Sequence, residues 1–515
     1  MTTAFTAPVD DILFSLNHVA DARTLAGWDD TAAKDIITHF AGFAEDVLAP
    51  LNEVGDRIGA KLVNGKVRMP EGFHEAYRQL ADHGWQGLTI PEEFGGMAAS
   101  PLISAGVSEI FSGANHALQM VCTLVPGAVT TLRHSGTDAQ QNRWIPKLAS
   151  GELLSTMCLT EAHAGSDLST IRCTAVHEED GRWSINGEKI FISGGGQDLS
   201  QGILHLVLAR SGAREDGLKG LSLYLCTDQA GVTVTRVEEK MGIHASPTCQ
   251  MRFDDATAEL IGEEGRGLHA MFTLMNYARL DVSLQGVAHA ARAHHLAKTY
   301  AEDRMQGRNG AGGPARIADH ADIRRMLDDM ASLALGGRGM CHIAHVAVDQ
   351  GNADKLADFL TPLCKIFCSN AGITSADLGM QILGGYGYLR EYGMEQIWRD
   401  ARITAIYEGA NGIHEKSIAT RLLRPEEGSD AFAGLIEQLS GDEARVLNAL
   451  QDWKNKKAFI IGEDDPLPHA HDFAQATAHL FYKASWAKIC QVADAHHDGE
   501  YLRHLAERVL TRQDG

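Results

Sequence analysis

The sequence lacks the patterns typical of disulfide-stabilised, exported and membrane-spanning proteins. None of its nine cysteines forms a C-x-x-C pair, and an odd, scattered set in 515 residues favours reduced thiols over a disulfide framework. The N-terminal segment is acidic and has neither the basic region nor the apolar stretch of a targeting peptide. No run of about 18 apolar residues is present. We therefore expect a cytoplasmic protein without a membrane span.

Positive charge is also scarce. The chain has 46 Lys and Arg residues against 67 Asp and Glu residues, and its formal net charge is −21. Such a chain is repelled by phosphate backbones and anionic membranes, so nucleic acid is not an expected partner. An anionic substrate would have to find local positive charge or backbone dipoles.

Several common catalytic motifs are missing. The glycine clusters at 194–196 and 384–387 do not lie in a strand–turn–helix frame, so they do not predict a dinucleotide-binding fold. Neither G-x-x-x-x-G-K-[ST] nor G-x-S-x-G occurs. The sequence His469-Ala-His471-Asp472 could hold a metal, but in an acidic loop a solvated surface is the better interpretation. We expect no metal site.

The apolar pattern predicts a mainly α protein with an inserted β domain. Helical periodicity starts just after Asp35, gives way to strand-like runs near residue 156, and returns after residue 262. Asn186-Gly187 between two strand-like runs predicts a hairpin, and the segment from Pro425 to Asp430 is typical of a linker. The predicted regions are an N-terminal extension (1–35), a helical domain (36–155), a β domain (156–262), a helical domain (263–424) and an extra helical region (425–515).

Two stretches combine several unusual features. The first is MCLTEAHAGSD from Met157, which combines the hydroxyl groups of Thr160 and Ser166 with Gly165. An ordinary loop made of turn-forming residues would explain this composition equally well. The second comprises QILGGYGYLR from Gln381, WRDAR and IYEGANG, and it places Glu408 in a glycine-flanked loop. From residue types alone, Glu408 is equally well explained as a surface residue or as an acid–base group.

Together these stretches closely resemble the two signature regions of the acyl-CoA dehydrogenase family. The similarity is collinear from about Phe40 to Leu423 and includes PEEFGG from Pro91 and YAEDR from Tyr300. The segments WQGL, HLVLAR, HADIRRML and LTP are most similar to the long bacterial branch, which includes 3-methylmercaptopropionyl-CoA dehydrogenases and carries an extra C-terminal helical domain. The resemblance implies an N-terminal helical domain, a middle β-barrel or sandwich, a C-terminal four-helix bundle and extra C-terminal helices.

The resemblance implies FAD bound between the β domain and the bundle, partly across a dimer interface. It identifies Glu408 as the catalytic base, since Ala278 occupies the alternative position used by some members and cannot take a proton. The implied cofactor contacts are Leu159, Thr160, Phe191, Ser193, Arg304, Gln381, Gly384 and Gly385. The implied substrate contacts are Ser166, Asn276, Arg279, Tyr407 and Gly409.

Three positions depart from the usual family pattern. Phe191 stands where many members have Trp, and Ser193 stands where many have Thr. Ala410 replaces a Thr that often follows the Glu-Gly pair, which removes one hydroxyl contact to the cofactor. These changes weaken individual contacts more than they affect the reaction, and the role of residues 431–515 stays open.

The resemblance implies FAD-dependent α,β-dehydrogenation of an acyl-CoA to a trans-2-enoyl-CoA in acyl-CoA or fatty acid catabolism. A homodimer or homotetramer would pass electrons to an electron-transfer flavoprotein, and the branch favours a short or sulfur-containing acyl group. One alternative is an acyl-CoA oxidase that uses O₂. Others are a non-catalytic homologue, hinted at only by Ala410, and a nucleic-acid-binding relative, against which the charge of −21 and Glu408 both argue.

Overall fold

The computed structural model describes residues 3–179, 181–227, 231–308, 310, 312–350, 354–424 and 426–512. The chain forms two compact units. The first comprises Met1–Ala49, Pro101–Ala114 and Arg279–Gly515, and the second comprises Pro50–Ser100 and Asn115–Ala278. The mainly helical fold with an inserted β domain is confirmed.

Helices dominate the described residues. In chain order they are α1 (Val9–Phe14), α2 (Asp30–Phe43), α3 (Pro50–Ile58), α4 (Phe73–Asp82), α5 (Pro101–Cys122), α6 (Leu124–Ser135), α7 (Asp138–Ala149), α8 (Gly267–Asp303), α9 (Ala321–Asp349), α10 (Asp354–Leu383), α11 (Met394–Arg402), α12 (Asn411–Ala419), α13 (Glu427–Ser440), α14 (Ala444–Gly462), α15 (Ala470–Gln491) and α16 (Gly499–Thr511). Two π-helical turns, Ser15–Val19 and Ala44–Leu48, continue α1 and α2.

Strands form one large sheet and two short hairpins. They are β1 (Lys61–Val63), β2 (Lys66–Arg68), β3 (Leu153–Cys158), β4 (Thr174–His177), β5 (Trp183–Ser193), β6 (Gly202–Arg210), β7 (Leu221–Thr227), β8 (Val232–Val237), β9 (Thr248–Ile261), β10 (Met305–Arg308) and β11 (Pro314–Arg316). The pairings β6–β7, β7–β9, β9–β5, β5–β4 and β4–β6 make a closed circuit, so the sheet is barrel-like and has few free edges. Strand β6 is buried along its whole length, as its continuous apolar run predicts.

The predicted hairpin at Asn186-Gly187 is wrong. Strand β5 runs straight through both residues and pairs with β9, with a register shift between Ile185 and Gly187. The Asn186 side chain bonds to Asp255 on β9, donating to its carboxylate at 2.8 Å and accepting its backbone N–H at 2.9 Å. The dipeptide therefore forms a bulge, because a partner distant in sequence takes up its hydrogen-bonding groups.

Helix bounds at both ends of the chain also differ from expectation. Helix α2 begins at Asp30, not after Asp35, because the side chain of Asp29 accepts the backbone N–H groups of Thr31 and Ala32. The predicted linker is wrong from Glu427 onward, where α13 begins, and Pro425 lies outside the described residues. Ser429 is fully buried, so this segment packs as a helix and does not connect two independent parts.

The helices after residue 426 pack on the bundle within the first unit. On α15, Tyr482 stacks on Phe367 of α10 with ring centroids 4.4 Å apart, and Trp486 donates to a carbonyl of α9 at 3.2 Å. Helix α15 also contacts α12, where Gln475 donates to the buried carboxylate of Glu415 at 2.9 Å. The extra region is thus continuous with the core of the bundle.

Helices α8 and α10 approach each other unusually closely. A Cβ atom added to Gly286 of α8 would lie 2.2 Å from the carbonyl oxygen of Cys368, and one added to Gly372 of α10 would lie 2.7 Å from the carbonyl oxygen of Gly286. Such distances are far below van der Waals contact, so only glycine fits at this crossing.

We expect Gly286→Ala to lower the thermal unfolding temperature, because the two backbones must separate, at a cost of about 1–3 kcal/mol. Gly434→Ala is the matched control. Gly434 lies in α13, and a Cβ there meets no atom within 4 Å, so alanine should stabilise the helix by about 0.5–1 kcal/mol. Calorimetry of both variants checks the expectation, and equal stability of the two would contradict it.

Candidate active site

The loop that carries Glu408 has a strained backbone. Glu408 has φ +53° and is followed by Gly409 with φ +93°, and a left-handed conformation at a residue other than glycine costs about 1–2 kcal/mol. His414 of α12 donates from Nε2 to the carbonyl oxygen of Glu408 at 3.2 Å. A Cβ on Gly409 would approach the same nitrogen to 2.8 Å, so this position requires glycine. The surrounding helices therefore hold the loop in place.

The protein environment makes Glu408 a much weaker acid than usual. Burial raises the pKa of its carboxyl to about 7, although the charges of Arg279 on α8 and Lys365 on α10 oppose this shift. Burial lowers the pKa of Lys365 to about 7 and also lowers that of His414, to about 3, which keeps the imidazole neutral. A carboxylate that titrates near neutral pH is suited to act as a general base.

Tyr407 extends from the same loop into the bundle. Its hydroxyl donates to the side chain of Gln285, which donates to Asp281 at 3.0 Å. Ser108 of α5 donates to the other oxygen of that carboxylate. These contacts tie the residue before Glu408 to α8, and Arg279, Tyr407, Glu408 and Gly409 come together at one place in the first unit.

A cleft in the first unit contains three of the implied cofactor contacts. Arg304, Gly384 and Gly385 line a cavity of about 420 Å³ together with Tyr300 and Tyr386. The Arg304 guanidinium lies 5.7 Å from the centre of the Tyr386 ring. A Cβ on either glycine would meet no atom within 4 Å, so backbone lines open space beside a cation and aromatic rings. This combination fits a pyrophosphate group with an attached nucleoside.

Three further residues implied by the resemblance, one cofactor contact and two substrate contacts, do not line this cleft. Gln381 is exposed on the last turn of α10, just before the cleft. Asn276 is partly exposed on α8, and Ser166 is exposed in the loop that follows β3.

A buried ion pair holds the loop after β3 in the second unit. Lys189 of β5 is fully buried and donates to Glu161 at 2.9 Å and to the carbonyl oxygen of Leu159 at 2.9 Å. Glu161 also accepts the backbone N–H groups of Arg172 and Cys173, at 2.8 and 3.0 Å. Burial opposes ionisation, but Lys189 and these N–H groups keep the pKa of Glu161 below its usual value.

The surface next to this ion pair presents an exposed aromatic ring. Phe191 of β5 is 61% exposed and has φ +59°, an uncommon conformation for a bulky residue. Thr160 is held beside β5, because its carbonyl oxygen accepts the backbone N–H of Ile190 at 2.8 Å, and Ser193 is the last residue of the strand. An exposed ring next to immobilised backbone fits the face of a planar ligand such as a flavin.

The sequence patterns did not indicate a role in the site for four further residues, Lys365, His414, Glu161 and Lys189. A signal existed for Lys365, since it interrupts the apolar run from Phe359 to Phe367, where a charged residue is unusual. For the other three, only contacts between distant parts of the chain reveal their roles.

His471 in the candidate metal cluster instead lies 3.0 Å from Glu415. Within the described residues, no group of three or more potential ligands could hold a metal ion. None of the described helices has the length and apolarity needed to cross a membrane.

Comparison with known families and structures gives consistent matches. The domain models described as Acyl-CoA dehydrogenase N-terminal, middle and C-terminal domains match residues 32–152, 156–256 and 265–423. A 3-methylmercaptopropionyl-CoA dehydrogenase of Ruegeria pomeroyi is 40% identical over 469 residues, covering 85% of this chain and 80% of that protein.

Two solved structures are similar to this fold. Butyryl-CoA dehydrogenase of Megasphaera elsdenii is 26% identical with a TM-score of 0.69, covering 78% of this chain and 100% of that chain. Caenorhabditis elegans ACDH-11 in complex with C11-CoA has a TM-score of 0.84 at 19% identity, covering 100% of this chain and 92% of that chain. The latter likeness concerns the fold alone, and it extends over the helices beyond residue 423.

We expect Lys189→Met to be strongly destabilising, because it leaves the Glu161 carboxylate buried without its cation, at a cost of about 3–5 kcal/mol. The double variant Lys189→Met/Glu161→Gln should recover part of the loss. Arg143→Met is the control, since Arg143 pairs with Glu259 at 2.8 Å on the surface, and such pairs contribute about 0–1 kcal/mol. Thermal unfolding of the three variants checks this, and a Lys189→Met protein as stable as the control would contradict it.

Proposed function

Because the chain belongs to the acyl-CoA dehydrogenase family, we propose that it oxidises an acyl-CoA thioester to the trans-2-enoyl-CoA with Glu408 as the base. The family consists of FAD-binding oxidoreductases. The observation that carries the proposal is Glu408 itself, a carboxyl group with a pKa of about 7 in a strained loop near two cations. The motif around it supports the same assignment.

The proposed chemistry divides two hydrogens between base and cofactor. Glu408 takes the α-proton, a contribution typically worth about 10²–10⁴-fold in rate. When bound, FAD would supply a hydride acceptor at flavin N5 for the β-hydrogen. The backbone N–H of Glu408 would donate to the thioester oxygen, where negative charge develops as the α-proton leaves. The thioester thereby loses one proton and one hydride, which balances the formation of the double bond.

The proposed contacts to FAD fall into two sets. Arg304, Gly384 and Gly385 would hold the pyrophosphate, with Gln381 alongside, because together they offer a cation and open backbone. The ring would lie against Phe191 and Ser193 and the loop residues Leu159 and Thr160. We propose a homodimer or homotetramer in which Arg304 reaches the cofactor of the neighbouring subunit.

The substrate and its neighbours are proposed in the same way. Arg279, Tyr407 and Gly409 adjoin the base, and Asn276 and Ser166 would contact the acyl-CoA at other points. The relative of 40% identity is named for 3-methylmercaptopropionyl-CoA, which supports a short or sulfur-containing acyl group. Anaerobic titration with butyryl-CoA, 3-methylmercaptopropionyl-CoA and octanoyl-CoA would rank these substrates by the bleaching of the flavin band.

We propose electron-transfer flavoprotein as the electron acceptor. Measuring O₂ consumption with an oxygen electrode distinguishes this proposal from the oxidase alternative. Turnover that depends on added electron-transfer flavoprotein and consumes little O₂ supports the dehydrogenase, whereas stoichiometric O₂ consumption in its absence supports the oxidase.

We expect Glu408→Gln to bind FAD and acyl-CoA but to reduce the flavin at least about 10²-fold more slowly, because the amide cannot accept the α-proton. Glu391→Gln, at an exposed carboxylate of the same unit, is the control and should behave as the unchanged protein. Stopped-flow absorbance without oxygen measures both rates. Equal rates in the two variants would remove Glu408 from the mechanism.

We expect the rate of flavin reduction to rise with pH through about 7. The base works only when ionised, and burial places the pKa of Glu408 at about 7 instead of its ordinary value near 4.5. The carboxyl is therefore protonated and inactive below this range and ionised above it. Single-turnover rates between pH 5.5 and 8.5 test the expectation, and a profile already flat at pH 5.5 would contradict it.

A further inference from the structure

Lys365 is a buried cation in the middle of α10. Its side chain is fully buried within an apolar run of the helix. Removing an ammonium group from water is unfavourable unless it finds compensating contacts. A lysine in this position therefore calls for a functional explanation, because an apolar residue would pack the bundle at lower cost.

The contacts of Lys365 lie on the loop that carries Glu408. Its Nζ donates to the carbonyl oxygen of Gly409 at 2.8 Å and to the side-chain oxygen of Asn411 at 2.8 Å. Asn411, the first residue of α12, also donates to Ser369 at 3.1 Å, one turn further along α10. Helix α10 thus holds both the peptide that follows Glu408 and the start of the next helix.

Both acceptors of Lys365 are neutral. Within the described part of the chain, no carboxylate lies within ion-pair distance of its ammonium group, so no direct partner cancels its charge. That charge acts instead on Glu408, whose carboxyl it favours in the ionised form. The reciprocal effect is present as well, since Glu408 favours the charged form of Lys365.

We propose that Lys365 is a positioning residue that clamps the catalytic loop onto α10 and, while protonated, adds to the positive charge of Arg279 that favours the ionised form of Glu408. The inference deepens the proposed function and rests on Glu408 being the base of that reaction. It assigns one role to the hydrogen bonds, which hold the strained loop, and another to the charge, which acts on the carboxyl group.

Other titratable groups lie around Glu408 and act on its carboxyl group or on its neighbours. Helix α8 presents Arg279, which favours ionisation, and Asp281, which opposes it. Helix α12 presents His414, which stays neutral. Asp358 and Arg421 act on Arg279, with opposite signs. Without the Lys365 charge, Arg279 is the remaining cation that favours ionisation of Glu408 among the described residues. The carboxyl group then becomes harder to ionise and its titration moves to higher pH.

Lys365→Gln and Lys365→Arg separate the two roles. Glutamine keeps an N–H donor for the Gly409 carbonyl but removes the charge, and arginine keeps the charge. We expect the pH midpoint of flavin reduction to rise by about one unit in Lys365→Gln and to stay near the original value in Lys365→Arg. Lys457→Met is the matched control, since Lys457 is a buried lysine of α14 that pairs with Glu426 at 3.1 Å, away from the loop.

A second readout needs neither substrate nor turnover. The carboxylic-acid infrared band of Glu408, identified by its loss in Glu408→Gln, should titrate at higher pH in Lys365→Gln than in the unchanged protein or in Lys457→Met. A lowered rate with an unmoved midpoint and an unmoved band would overturn the proposal and leave Lys365 a packing role. If Glu408→Gln retains full activity, the proposed function fails, while the infrared titration still tests the link between Lys365 and Glu408.

Discussion

The contact between the backbones of α8 and α10 is the constraint on which the geometry of the candidate active site depends. Gly286 and Gly372 let the two helices approach to a distance that no side chain allows. Arg279 and Gln285 precede this crossing on α8, and Lys365 precedes it on α10. The loop that carries Glu408 is bonded to both helices, through Tyr407 and through Lys365. A small change in helix spacing would therefore reach the carboxylate directly.

The same region concentrates several features that oppose stability. It contains a left-handed glutamate, a buried lysine and a neutral buried histidine. Each is unfavourable alone, and they surround a carboxyl group whose pKa burial raises to about 7 against the opposing charges of Arg279 and Lys365. Hydrogen bonds to Gly409, Asn411 and the Glu408 carbonyl hold these groups in one arrangement. The pattern is typical of a site in which stability is exchanged for reactivity.

The sequence predicted the mainly helical fold and the inserted β domain because long periodic segments carry their own signal. It failed at Asn186-Gly187, where the local turn preference gave way to bonds with Asp255 on a distant strand. It also failed at the start of α13, where burial of Ser429 and its neighbours outweighed a linker-like composition. Glu408 was found through its motif, whereas Lys365 was missed because its partners lie more than forty residues away along the chain.

The contact between α15 and α12 bears on the modularity of this enzyme. The C-terminal family domain ends at residue 423, yet Glu415, seven residues after the proposed base Glu408, is buried beneath Gln475 and its neighbours on α15. The helices after residue 426 therefore cover α12, the helix that anchors the loop carrying Glu408. Domain boundaries drawn from sequence families do not mark a separable catalytic module here, and a chimaera joined at residue 423 would expose the support of its own active site.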